Sequence, residues 1–374
     1  MEKNIYKLAD ISTNMFYGSM PKKEDIIESG YPIFSGYRIV GYSREFNINE
    51  RTLIVVARGV GGTGDVKIAP KESFLTNLSI AVKLRDDIVD LNYLYYYLNI
   101  QGLRYLDTGA AQSQITINNL KSHKVILPNL QYQKRIANIL LKYDNIIENN
   151  NKRISILERM TEEIYKEWFV KFRFPEYKNN CFIDAKPYGW IYGNKSNMSI
   201  PNKWHFGRLA EIGQFARGKN ITSTEMKEGE IPVVSAGIEP SGYHNEANVK
   251  GKSLTMSASG ANAGYLKYNL NDIWAADCSY YQNDENIWFV YSSLKFIESA
   301  IRNLQVGSAQ PHVYAKNINK LNIIIPEEKY IKMYNDLVNP MFEEIRKLNE
   351  KNKILVKQRD LLLPRLMSGK LEVK

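Results

Sequence analysis

The 374 residues predict an α+β protein: two similar globular domains joined by two long antiparallel coiled-coil helices, with a pseudo-two-fold internal repeat. Three observations carry this. Segments recur at offsets of 198 to 201 residues, two heptad seams lie in register, and short apolar runs broken by turn residues surround each helix.

The repeat shows most plainly in "TGAAQSQITINNLKSHKVILP" and "VGSAQPHVYAKNINKLNIIIP", which place Gly109 and Gly307, Gln112 and Gln310, and Pro128 and Pro326 each 198 residues apart. "KLADIS" from Lys7 answers "RLAEIG" from Arg208, "YPIFSG" from Tyr31 answers "IPVVSA" from Ile231, and "TLIVVARG" from Thr52 answers "SLTMSASG" from Ser253. The drift in offset fits small loop insertions. The halves therefore share a frame and differ in their loops.

Within each half, "RTLIVVA", "KVILP", "SLTMSA" and "LNIIIP" predict strands, and "VDLNYLYYYLNIQGLRYL" and "YSSLKFIESAIRNLQ" predict helices. Residues 1–129 and 204–326 form the two globular domains. Helices at 130–172 and 327–374, the latter with a tail, close each half, and an Asn/Gly/Pro-rich segment at 173–203 reads as an extended linker. The first seam is Ile136, Leu140, Tyr143, Ile147, Asn150, Ile154, Leu157, Thr161, Ile164 and Trp168. The second is Tyr334, Val338, Met341, Ile345, Leu348, Asn352, Leu355, Arg359, Leu362 and Leu366. Such fours and threes define a coiled-coil face, and ~40 residues of helix would span ~60 Å. Pro340 is expected to kink the second helix or mark where its regular part begins, and Pro364 to loosen its end. Asn150 and Asn352 either fix register from a buried position or sit where the seam opens to water.

The net charge of +10 favours nucleic acid or an anionic surface as partner. The two cysteines, Cys181 and Cys278, suit a reducing cytoplasm and exclude a disulfide framework or a cysteine metal site. The sequence offers neither a signal-like N-terminus nor an apolar run of membrane length, so no membrane partner is expected.

Catalytic signatures fail one by one. Gly59-x-Gly61-x-x-Gly64 matches the dinucleotide fingerprint formally, but "DVKIAPKESF" follows it with no helix to hold a pyrophosphate, and its repeat counterpart is "SGANAG". It reads as a glycine-rich hairpin or loop. "VKGKS" has Glu246 where a P-loop needs its first glycine. His123, His205, His244 and His312 lack metal-ligand spacing. Asp184-x-Lys186 reads as a solvated turn. No nucleophile elbow or Asn/Asp-Pro-Pro-aromatic motif occurs, so the chain reads as non-catalytic, with no cofactor and no metal.

A binding surface remains. Tyr37, Arg38, Tyr42, Arg58, Lys67 and Gln112 in the first half, and Arg217, Lys219, Ser259, Lys267, Gln310 and His312 in the second, are candidate DNA-binding residues. Arg, Lys and Gln make phosphate contacts and bidentate contacts to base edges. A solvated surface charge or a turn residue competes with that role at each position. The recurring Gln112 and Gln310 fit a loop-fixing role as well as base reading.

"LPNLQYQKRIANILLKYDNIIENNNKRISILERMTEEIYKEWFVKF" resembles the central helix of type I restriction-modification specificity (S) subunits, and "RDLLLPRLMSGKLEV" resembles their C-terminal signature. "GAAQ" and "GSAQ", each followed by a strand ending in Pro, are similar to the family's end-of-domain pattern. One departure stands out: after the second domain "IIIPEEKYIKMY" lacks the glutamine that Gln133 supplies after the first. The resemblance implies two target-recognition domains, each reading half of a bipartite asymmetric DNA sequence. It further implies that the helices dock two copies of a modification (methyltransferase) subunit, to which restriction (ATP-dependent translocase/nuclease) subunits add. The competing readings are the recognition part of a fused or solitary methyltransferase-nuclease system, and a coiled-coil scaffold that binds no DNA.

Overall fold

The computed structural model describes residues 3–36, 38–59, 62–108, 113–185, 198–306 and 311–373. The chain divides into two compact units, Met1–Asn149 with Asn352–Lys374, and Asn150–Lys351. Each long helix thus contributes one part to each unit, a division that cuts across the sequence segments.

Unit 1 is built on a four-stranded antiparallel sheet in the order Ser12–Tyr17, Ser79–Leu84, Thr52–Val56, Val66–Ala69. Every residue of Thr52–Val56 is buried, so its continuous apolar run marks a strand covered on both faces. A second sheet runs Ile26–Ile27, Arg38–Ser43, Tyr31–Ser35, Phe74–Leu75, with its last pairing parallel. Lys3–Lys7 pairs with Lys124–Pro128.

Unit 2 repeats this order. Ala216–Arg217, Cys278–Tyr281, Ser253–Ser257 and Leu266–Asn269 form its four-stranded sheet. Gly242–His244, Ile231–Val234 and Trp274–Ala275 form the second, again closed by a parallel pair. His205–Arg208 pairs with Asn322–Ile325. The repeat in the sequence is therefore a repeat of topology.

Of "RGVGGTG", Gly59 and Gly62–Gly64 lie in the connection between the antiparallel strands Thr52–Val56 and Val66–Ala69, and Val60 and Gly61 lie outside the described residues. Gly64 and its counterpart Gly264 lie at φ +92° and +87°, where a side chain is strained. "VDLNYLYYYLNIQGLRYL" forms the helix Leu91–Gln101, capped by the Asp90 carboxylate on the Tyr93 N–H and ended by Gly102 at φ +67°. "YSSLKFIESAIRNLQ" departs from one helix: Ile287–Phe296 and Glu298–Arg302 are separated at Ile297.

The long helices run Leu130–Tyr165 and Glu328–Ser368, and five π-helical residues, Lys166–Val170, extend the first. All ten positions of each predicted seam are buried or half-buried. In unit 2 the Arg153 guanidinium meets the Glu344 carboxylate at 2.7 Å, and the Tyr334 hydroxyl donates to the Thr161 carbonyl at 3.1 Å. Numbers rise on one helix as they fall on the other, so the pair is antiparallel. Unit 1 has the same sense: Asp144 pairs with Arg359 at 2.5 Å, while Ile136 and Leu140 share a core with Leu362 and Leu366. Asn150 and Asn352 are both buried, which removes the water-exposed alternative.

Two expectations are corrected. Pro340 does not mark where the second helix becomes regular: the helix starts at Glu328 and continues through Pro340 and Pro364. Each proline deprives the carbonyl four residues earlier of its donor, and those residues, Asp336 and Asp360, are exposed, where water can replace the bond. The 173–203 linker is not simply extended. Phe182–Ala185 pairs with Met198–Pro201, and Phe174 stacks on Trp204 in the core of unit 2. Asp184 therefore lies in a strand opposite Ser199 rather than in a turn, and Lys186 lies outside the described residues.

Candidate nucleic-acid interface

Three neighbouring strands of each four-stranded sheet end together, and a fourth segment bridges on beside them. In unit 1 the row across this end is Tyr17, Leu78, Arg58 and Gln114. The Ala57 N–H donates to the Leu78 carbonyl at 2.8 Å, the Ile115 N–H donates to the Ala57 carbonyl at 2.9 Å, and Arg58 forms a β-bridge with Gln114. In unit 2 the row is Arg217, Asp277, Ser259 and His312. There the Ala258 N–H donates to the Asp277 carbonyl at 3.4 Å, the Val313 N–H donates to the Ala258 carbonyl at 3.0 Å, and Ser259 bridges His312. The backbone frame is the same and all four side chains differ.

Their chemistry differs accordingly. Arg58 is exposed, and its guanidinium sits 5.8 Å from the centre of the Tyr17 ring. In unit 2 Asp277 takes both neighbours: Arg217 Nη2 donates to its Oδ1, and Ser259 Oγ donates to its Oδ2 at 2.5 Å. The His312 ring stacks on Tyr314 at 6.0 Å, and Lys316 Nζ lies 5.7 Å from the same tyrosine ring. A Cβ on Gly218 would lie 2.4 Å from the Ala276 carbonyl oxygen, and one on Gly18 would lie 2.1 Å from that of Leu75. In both units the strand end carrying the row's first residue is thus pressed against the turn that leads to its second.

The sequence-predicted residues divide into three groups. Arg58, Arg217, Ser259 and His312 come together in the rows. Lys67 and Lys267 occupy matching places opposite Ile54 and Thr255; Lys67 is exposed, whereas Lys267 Nζ donates to the Ile238 carbonyl at 3.1 Å. Arg38 and Tyr42 are exposed on the Arg38–Ser43 strand of the other sheet, and Lys219 is exposed beyond Arg217 with its carbonyl accepting from Trp274 Nε1 at 2.8 Å. Tyr37, Gln112 and Gln310 lie outside the described residues. Sequence reasoning missed Tyr17, Leu78, Gln114 and Asp277. The offset of 198 that links Gln114 to His312 was a usable signal; nothing in "AADCSYY" singled out Asp277.

Beside Asp277, burial pushes the Cys278 thiol up to about 12, which makes it a poor nucleophile. Among the described residues no group of three His, Cys, Asp or Glu side chains could hold a metal ion. No helix among them is long and apolar enough to cross a membrane.

The family model described as type I restriction modification DNA specificity domain matches twice, at residues 2–159 and 201–355. The chain belongs to that family. As a type I specificity subunit it is the non-catalytic component through which a restriction-modification complex selects its DNA, and two domains recognise the target. It works with methyltransferase and restriction subunits. It is 28% identical over 340 residues to the type I restriction enzyme MjaIX specificity subunit of Methanocaldococcus jannaschii, covering 83% of this chain and 76% of that one. It is 23% identical over 363 residues to a putative type I specificity subunit of Mycoplasma pneumoniae, covering 93% and 92%. The crystal structure of a type I restriction-modification S subunit from M. genitalium shares the fold at a TM-score of 0.63 and 22% identity, covering 98% of this chain and 96% of that chain.

Proposed function

We propose that each unit of this specificity subunit reads one half of a bipartite, asymmetric DNA target through the row at the end of its four-stranded sheet. The observation that carries this is the one frame bearing two sets of side chains. A duplicated reader whose frame is constant and whose exposed ends diverge can recognise two different half-sequences. Tyr37, Arg38, Tyr42, Lys67, Gln112, Lys219, Lys267 and Gln310 complete the proposed DNA-binding set. The recognition domains correspond to residues 1–129 and 204–326. The helices of 130–172 and 327–374 dock two copies of the methyltransferase subunit, because a pseudo-two-fold pair offers two equivalent faces. The setting is the cytoplasm, in keeping with Cys181 and Cys278 as free thiols.

The test is methylome sequencing of cells that carry the chain with its methyltransferase partner, in its unaltered form and as Arg58→Ala or Arg217→Ala. Each substitution is expected to relax the methylated motif in a different half. A motif altered in both halves by either change, or in neither half by both, refutes the assignment of the rows.

A further inference from the structure

We infer that Asp277 is a positioning residue that holds Arg217 as a preset reader of guanine in the half-target of unit 2; the inference rests on the proposed reading of the rows. A carboxylate on a surface that meets a polyanion repels it, so its place in the row calls for a compensating task. Its contacts supply one. Both carboxylate oxygens are engaged, Oδ1 by the Arg217 guanidinium and Oδ2 by the Ser259 hydroxyl. Arg217 remains half-exposed while Asp277 is the more covered partner, at 48% and 28% side-chain exposure. The charge that points outward is therefore the guanidinium.

The chemistry left over selects the ligand. Arg217 gives one of its five N–H groups to Asp277, so a pair of donors remains for a two-acceptor edge. In the major groove that edge is guanine O6 and N7. Ser259 donates its only proton to Asp277, so its oxygen is left to act as an acceptor. Preset geometry spares the long arginine side chain much of the freedom it would lose on binding. The backbone reinforces this, since Gly218 fixes the end of the Arg217 strand against Ala275 and Ala276, immediately before Asp277. Unit 1 has Leu78 in the place of Asp277. Among the described residues Arg58 has no ion-pair partner and leans on the Tyr17 ring, a contact that sets no donor direction.

The experiment uses the chain assembled with its methyltransferase partner. The probes are duplexes bearing the methylated motif and copies with one base pair changed. Asp277→Leu and Asp277→Asn should lower the preference at a single G·C pair of one half-target by roughly 10- to 100-fold, the loss of one bidentate base contact. Both should strengthen binding to unrelated duplex, because a negative charge leaves the surface. Asp277→Glu, which keeps a carboxylate, should restore most of the preference, and thermal unfolding of all three should match the unaltered chain. If Arg217→Ala abolishes that preference while Asp277→Leu leaves it intact, positioning is overturned and the reading of the rows stands. If the Asp277 variants weaken every base pair alike and also unfold earlier, Asp277 holds the fold and the inference fails. If neither Arg217→Ala nor Arg58→Ala shifts any base pair, the reading of the rows itself fails.

Discussion

At the end of its four-stranded sheet, unit 1 sets an arginine on a tyrosine ring beside a leucine. At the matching place, unit 2 sets an arginine and a serine on one carboxylate. The two arginines are not equivalents: Arg58 matches Ser259, and Arg217 matches Tyr17. One cation is kept at this end in each unit while its strand has changed. Backbone hydrogen bonds preserve the frame, whereas the exposed ends are free to vary, because substitutions away from packed features cost little stability. The supports beneath differ too. The helix of unit 2 packs aromatic on aromatic, with Trp288 and Phe342 stacked 3.6 Å apart at 4°. Unit 1 closes around Ile136, Leu140 and Leu366 with the tyrosines of Leu91–Gln101.

The strongest way to break the comparison is to hollow out one support. Trp288→Ala removes a fully buried ring and the bond from its Nε1 to Asn339 Oδ1. About 3–5 kcal/mol of stability should be lost. Hydrogen exchange should quicken across unit 2 and leave unit 1 amides protected; uniform loss of protection would mean that the units do not unfold separately.

Next in size are two buried amides. Gln133 accepts from the Asp90 N–H at 3.0 Å and donates to the carbonyls of Ile88 and Pro128. Unit 2 has no glutamine at the matching place. Asn335, one turn further on, accepts from the Trp288 N–H at 2.9 Å and donates to the Ile331 carbonyl. Both therefore tie the start of a domain helix to a long helix. Gln133→Ala and Asn335→Ala should each cost about 1–3 kcal/mol, the penalty for stranding buried backbone groups. Denaturant titration that found one costly and the other neutral would break the parallel.

A smaller effect distinguishes the units by pH. His123 is buried, its Nδ1 faces the Tyr105 hydroxyl and its Nε2 has no partner, so burial holds its pKa below the ordinary 6.5. The depressed group binds its proton less readily folded than unfolded. Its contribution is present above pH 6.5 and is lost as the pH falls. Unit 2 has Leu321 at the matching place. Unit 1 should weaken first on mild acidification, and His123→Leu should flatten that dependence in pH-resolved hydrogen exchange.

The smallest expected change concerns the matched lysines. Lys67→Ala should lower the slope of log K against log salt by about 1, as expected for one phosphate contact, and weaken all duplexes alike. Lys267→Ala should lower it less, since that ammonium already holds the Ile238 carbonyl. Equal slopes would show that the tether does not hold in solution.

Most of the frame was legible because it is periodic. Offsets of 198 to 201 residues marked the duplicated strands, and fours and threes marked both helices. What escaped has no period. The two-residue strands Phe74–Leu75 and Trp274–Ala275 are too short to alternate. Tyr165 and Phe342 are buried one position beyond the seam, because a helix against a globular core buries a wider stripe than a coiled coil does. Asn335 took over the role of Gln133 from a different turn, which position-by-position matching overlooks. One residue of the first row, Arg58, and three of the second, Arg217, Ser259 and His312, were visible as basic and polar loop residues. Leu78 and Asp277 were not, since a single side chain gains meaning only from the strand end it is set upon.

The division of the chain also bears on the order in which it can fold during synthesis. Unit 2 is one uninterrupted stretch from Asn150 to Lys351, whereas unit 1 needs Asn352–Lys374 to finish it. Lys3 Nζ donates to the Met367 and Ser368 carbonyls at 3.2 and 3.3 Å, across 364 and 365 residues of chain. A ribosome therefore releases every part of unit 2 before unit 1 can close, the reverse of the usual N-terminal-first sequence. Until then Ile136 and Leu140 lack Leu366, and the nascent first half carries a bare apolar stripe that a chaperone or its own later residues must cover.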